Sequence, residues 1–148
     1  SPDARAGFFG ISPHTTRAEL QRAVFEGLAF AIVDALQGYP QGGELYLTGG
    51  GAASATWLQI IADCTGRTVV SSAFNELSAR GAAILAARSV AALAETPPLA
   101  QTRYQPRPQA HARYAALYPV YRLLREQMLP VWQARQAALQ PLPQDLQP

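Results

Sequence analysis

The chain has 148 residues, 49% hydrophobic and 15% charged, with a formal net charge of +2. That length suits one globular domain, and so small a charge, spread along the chain, makes no case for nucleic acid or an anionic membrane. A single cysteine, Cys64, excludes an internal disulfide and fits a reducing cytoplasm, while His14, His111 and Cys64 are too scattered to read as a metal site.

The opening, SPDARAGFFG, lacks the basic-then-apolar layout of a signal peptide, and no apolar run approaches the roughly 18 residues of a membrane helix. It carries no initiator and starts in mid-pattern, so the chain is expected to be part of a longer polypeptide.

The first strong signal covers residues 16–37. Thr16 with Glu19 forms a capping box, and Gly38 supplies a left-handed stop. Between them Leu20, Val24, Leu28, Ala31 and Ala35 make one apolar stripe, and Phe25, Ile32 and Leu36 a second. This predicts a helix covered on more than one side. His14, just ahead of the capping box, reads as a loop or packing residue.

After the loop GYPQGG, residues 44–48 predict a short buried strand. Three glycines follow, then Ser54 as the cap of a helix over residues 55–65 that Gly66 closes. RTVVSSA reads as a second strand, and residues 78–94 as a helix whose Gly81, Ala82 and Ala83 allow close packing. Strand, helix, strand, helix argues for an α/β layer with parallel pairing.

Residues 96–110 read as a proline-rich, irregular connector. Beyond it Tyr114, Leu117, Tyr118, Tyr121, Leu124 and Met128 recur at helical spacing to about residue 129, with Pro119 as a kink or a first turn. The tyrosines form a packing face rather than a surface for stacking bases. Residues 139–148 read as disordered.

The strand–glycine–helix unit is the one strong chemical signal. Glycines let a ligand approach the main chain, and the free N–H groups of the next helix suit an anion such as a nucleotide phosphate. A tight turn with no ligand is the alternative, and the residues alone leave both open. A Walker A loop needs a lysine that GGGAASAT lacks. A dinucleotide fingerprint would want a third glycine where Ser54 stands, and an acid at the end of the next strand, where Glu76 comes too late.

The other polar residues read as structural. Glu26 and Asp34 roughly share a helix face and suit a solvated edge or a helix-to-helix ion pair. Asp63 suits a hydrogen bond that pins a neighbouring loop, and Cys64 an inert buried thiol. No Ser/His/Asp or Cys/His nucleophile system is present.

Three segments in this order, GFFGISPHTTRAELQRAVFEGLAFAIVDAL, LYLTGGGAASATWLQIIADCTGRTVV and ELSARGAAILAA, resemble the C-terminal domain of the FGGY carbohydrate kinases. Within that family GISPHTT and RYAALYPVYRLLREQMLP are most similar to xylulokinases. The resemblance runs from Gly7 to about Ala94, and with the last helix to about Pro130.

It implies an α/β fold, part of an actin-like, ribonuclease-H-like ATPase domain, with a C-terminal helix. The implied division is 1–95 nucleotide-binding domain, 96–110 connector, 111–138 helical segment and 139–148 tail. The implied activity is transfer of the ATP γ-phosphate to a sugar hydroxyl, D-xylulose above all, with Mg²⁺ carried by the nucleotide.

Gly49, Gly50, Gly51 and Ala52 would hold ATP. Ala55 stands where the family often reaches the adenine with a polar side chain, so that contact would be missing or made by backbone. Gly81 and Ala82 would pack their helix on the nucleotide-binding layer. The catalytic aspartate and the first phosphate loop would lie upstream, so these residues alone would be inactive. The expected partners are ATP, a small sugar, the N-terminal kinase domain and a second copy in a homodimer. Other sugars or polyols (ribulose, gluconate, glycerol) and a non-catalytic module of the same fold are the alternatives.

Overall fold

A computed structural model describes residues 4–40, 42–72, 76–90 and 98–139. Its elements are α1 (Arg17–Ala35), β1 (Leu45–Leu47), α2 (Ala55–Thr65), β2 (Val69–Ser72), α3 (Leu77–Ser89), β3 (Gln101–Tyr104) and α4 (Pro108–Ala138).

Local chemistry sets the helix ends. At α1 the Thr16 hydroxyl accepts from the Glu19 N–H (3.2 Å), and the Glu19 carboxylate accepts from the Thr16 N–H (2.7 Å). Both halves of the capping box are therefore made. Ser54 caps α2 by accepting the Trp57 N–H at 3.3 Å. Gly66 ends α2 in the left-handed conformation, at φ 67°.

The three strands form one sheet in the order β1-β2-β3. β1 runs parallel to β2, with Leu45 opposite Val69, and α2 makes the crossover between them. β3 is antiparallel to β2, with Val69 opposite Tyr104. Its residues lie in the stretch expected to be irregular connector. A strand such as QTRY, without alternation, gives no sequence signal, and β3 exists because β2 offers it a free edge. β1 is less covered than expected, since Tyr46 is 63% exposed.

The core gathers around α2. Leu58, Ile60, Ile61, Ala62, Val69 and Val70 are fully buried, with Ala29 and Phe30 of α1 against them. α1 is covered by both α2 and α4, but Val24 and Leu28 of its expected core stripe fall on the remaining side and are about half exposed. α4 closes the opposite flank. Tyr114, Tyr118 and Tyr121 surround the Phe30 ring, with centroids 6.0, 5.9 and 5.2 Å away, so the tyrosine stripe is a packing face.

Two polar pairings fix the register of α4 on α1. Tyr114 donates to Glu26 (2.7 Å) and accepts from Arg22 (2.8 Å), while Asp34 accepts from both Tyr118 and Arg125. Glu26 and Asp34 are thus helix-to-helix partners.

α4 starts earlier and ends later than its apolar pattern predicts, because Pro108 sits in the first turn, where a missing N–H costs nothing. It continues through Pro119, which is neither its start nor its end. α3 buries none of its residues, and a Cβ added at Gly81 would meet nothing within 4 Å. The close packing expected of Gly81 and Ala82 is therefore not made among the described residues. The expected extension of that helix over 91–94, and the tail 140–148, lie outside the described residues.

Gly66 has a second constraint besides its φ. An added Cβ would stand 2.6 Å from Cε1 and 2.8 Å from Nε2 of His111, whose Nδ1 is held 2.9 Å from the Asp63 carbonyl. Gly66→Ala is expected to destabilise the fold by about 2 kcal/mol or more, from positive φ and the displaced imidazole. Urea unfolding of the two chains measures it, and equal midpoints would refute the contact.

Candidate functional site

The glycine turn joins β1 to α2, and its three glycines have different surroundings. Gly49 adopts φ 83°, ψ −170°, a region that only glycine enters freely. Residues Gly50–Ala53 then make one 3-10 turn, closed by the Ala52 N–H donating to the Gly49 carbonyl at 3.0 Å. Gly50 is exposed, and an added Cβ there would meet nothing within 4 Å. A Cβ at Gly51 would instead face the Trp57 indole, 3.7 Å from Nε1 and 3.9 Å from Cδ1.

The turn is anchored from beneath. Ser71, buried on β2, donates its hydroxyl to the Ala52 carbonyl at 3.3 Å. Ala55 is exposed in the first turn of α2. The leading N–H groups of a helix have no intrahelical acceptor, and the helix dipole adds positive potential there. Residues 48–58 contain no acidic side chain to oppose an anion. Gly49, Gly50, Gly51, Ala52 and Ala55 thus lie along one open turn at the head of α2. None of them lines the concavity of about 310 Å³ between Phe8 and the end of α4, which Leu124, Met128 and Trp132 also line.

At the other end of α2, Asp63 is fully buried beside Arg107. It accepts from the Arg107 main-chain N–H (2.8 Å), from that guanidinium (3.0 and 2.5 Å) and from Gln59 (3.0 Å). Burial raises its pKa, but the Arg107 and Gln59 hydrogen bonds outweigh this and hold it below 3.8. Asp63 pins the β3–α4 junction, the structural role its sequence position suggested.

Burial first, then the charges of Glu26 and Asp63, push the Cys64 thiol up to about 12. Cys64 should therefore resist Ellman's reagent at about pH 8 while the chain is folded and react at once in denaturant. Rapid labelling of the folded chain would contradict its burial.

Trp57 and Ser71 are not singled out by the sequence, although Ser71 bonds to the turn and Trp57 stands beside it. The cap-plus-three spacing from Ser54 places Trp57 in the first turn of α2, but not which way its ring points. Among the described residues no cluster of three His, Cys, Asp or Glu could hold a metal, and no helix is long and apolar enough to cross a membrane.

A parallel β-α-β unit with a glycine turn at the head of its helix defines an α/β domain. Residues 1–90 match the model of the FGGY family of carbohydrate kinases, C-terminal domain. The chain belongs to that family.

It is 33% identical over 125 residues to a probable L-xylulose kinase of Pasteurella multocida, spanning 81% of this chain and 26% of the relative. To a glycerol kinase of Koribacter versatilis it is 37% identical over 115 residues, 70% of this chain and 23% of the other. Among solved structures, xylulose kinase from Rhodospirillum rubrum superposes with a TM-score of 0.75 at 28% identity, covering 89% of this chain and 28% of that one. The fold is that of the actin-like sugar kinases, and the chain spans about a quarter of the length of these relatives.

Proposed function

We propose that this chain is the ATP-side part of a carbohydrate kinase, transferring the ATP γ-phosphate to a sugar hydroxyl, with xylulose as the substrate. The observation that carries the reading is the glycine turn. Gly49 takes a glycine-only conformation, Gly50 leaves the main chain open, and the capped head of α2 follows. An open glycine main chain leading into a helix N-terminus, with no acidic residue from 48 to 58, fits a phosphate. Gly50, Gly51 and Ala52 would bind the α-phosphate end of the nucleotide by backbone, with Gly49 shaping the turn and Ala55 beside the adenosine.

ATP supplies the phosphoryl group, and Mg²⁺ arrives with it. These residues bind and orient the nucleotide, and no side chain in the turn can take a proton from a sugar. Phosphoryl transfer needs a base and a second phosphate-binding side, here assigned to further polypeptide upstream. Xylulose is favoured by two of the three relatives above, and the glycerol kinase is the reason to test polyols. The buried free thiol suits the cytoplasm, and a homodimer is the assembly to test by sedimentation.

ADP release is to be measured for the whole kinase against D-xylulose, L-xylulose, glycerol, erythritol and gluconate. The highest kcat/KM is expected with a xylulose; a polyol winning would overturn the substrate. Residues 1–148 alone are expected to show no turnover, and measurable ADP release by them would end the division of labour proposed here.

A further inference from the structure

Gly51 and Trp57 are neighbours in a way that the assignment of the turn to ATP leaves unexplained. The missing side chain of Gly51 points at the indole, with an added Cβ in ordinary van der Waals contact at 3.7 and 3.9 Å. Trp57 is half-buried in the first turn of α2, its main-chain N–H fixed by Ser54 at 3.3 Å. Behind it lies Phe25 of α1, the two rings 5.5 Å apart and tilted by 42°.

Two flat, stiff side chains therefore lie between α1 and the glycine turn. Phe25 is 39% exposed, an unusual place for a phenylalanine, and Trp57 is its one aromatic neighbour among the described residues. Glycine 49 and glycine 50 have no such support, because nothing stands within 4 Å of an added Cβ at either. A turn with this much backbone freedom loses its aim unless something fixes its height above the helix. Ser71 holds one point, the Ala52 carbonyl, and Trp57 is the side chain placed to limit the other, at Gly51.

We infer that Trp57, backed by Phe25, is a positioning residue for nucleotide binding: the indole stands on the side of Gly51 that a side chain would occupy, and it limits where the Gly50–Ala52 main chain meets the phosphate. The inference rests on the assignment of the turn to ATP. It assigns the effect to the ring surface, so phenylalanine at position 57, which keeps a ring against Phe25, substitutes in part.

The experiment uses the whole kinase, with ATP and sugar dissociation constants measured separately by calorimetry. Trp57→Ala is expected to weaken ATP about tenfold while the sugar constant stays within about twofold, as sub-ångström misplacement of binding groups does. Trp57→Phe should recover most of the loss. An unchanged ATP constant in Trp57→Ala, parallel loss of both ligands, or no recovery in Trp57→Phe would each overturn the role.

If Trp57→Ala does not fold, Phe25→Leu is measured instead, with about threefold weaker ATP expected and unchanged ATP binding fatal. Gly50→Val separates the two levels. If it leaves ATP binding intact, the assignment of the turn itself fails; if it abolishes binding while Trp57→Ala spares it, only the role of Trp57 fails.

Discussion

Gly50→Val is expected to weaken ATP binding by about a hundredfold, roughly 2.7 kcal/mol, while leaving the stability of the chain within about 0.5 kcal/mol of the original. The two halves come from one observation. A Cβ at Gly50 enters open space, and its φ is not in the left-handed region, so the added side chain starts clear of its neighbours. That same open space is where a phosphate would approach the main-chain donors, and hydrogen bonds to a charged group are each worth about 1.5–3 kcal/mol.

Gly51→Val is a poorer probe. Its side chain would press on Trp57, so lost binding would not separate a filled site from a displaced support. Gly49→Ala tests the backbone instead, since its φ of 83° with ψ −170° costs a side chain about 1–3 kcal/mol. Calorimetry with ATP beside thermal unfolding reads both halves for Gly50→Val. Binding equal to the original chain would remove this turn from the nucleotide site.

Asp63→Ala is expected to cost about 3 kcal/mol of folding stability. The carboxylate is fully buried and accepts four hydrogen bonds from two residues, three from Arg107 and one from Gln59. Alanine leaves the Arg107 main-chain N–H and the Gln59 amide short of an acceptor, and opens a small cavity between α2 and the start of α4.

The pH dependence has a definite sign. Because the folded state holds Asp63 below its ordinary 3.8, its contribution is complete above that value and drains away as pH falls through the lower folded pKa. Denaturant unfolding from pH 6 down to about pH 2 should show a smaller acid loss in Asp63→Ala than in the original chain. Identical slopes would mean that Arg107 does not hold the charge.

Local signals in the sequence were strong wherever one residue determines one hydrogen bond. Thr16 with Glu19, Ser54 and Gly66 place three helix ends to within a residue or two, because caps act on the adjacent backbone. Burial was harder to read. Val24 and Leu28 have core-like spacing yet stay half exposed, since a stripe is buried only where another element meets it. β3 was invisible because Gln101–Tyr104 has no alternating pattern, and its pairing comes from the neighbouring strand.

At the turn, sequence marked the glycines as a group but could not separate them. Their division of labour follows from φ at Gly49 and from what each absent side chain would touch, both of which depend on where α2 and its Trp57 settle.

The α1–α4 seam bears on how the chain acquires its structure. Glu26 pairs with Tyr114 across 88 positions, Asp34 with Tyr118 across 84 and with Arg125 across 91. Contacts so distant along the chain are slow to form, because their loop must close before they give any return. During synthesis Phe30 emerges long before the tyrosines that surround it, and of the helices packed on it α4 is the last to be made. The last helix is thus the latch of the fold, and a chain stopped short of Tyr114 would carry an open hydrophobic flank.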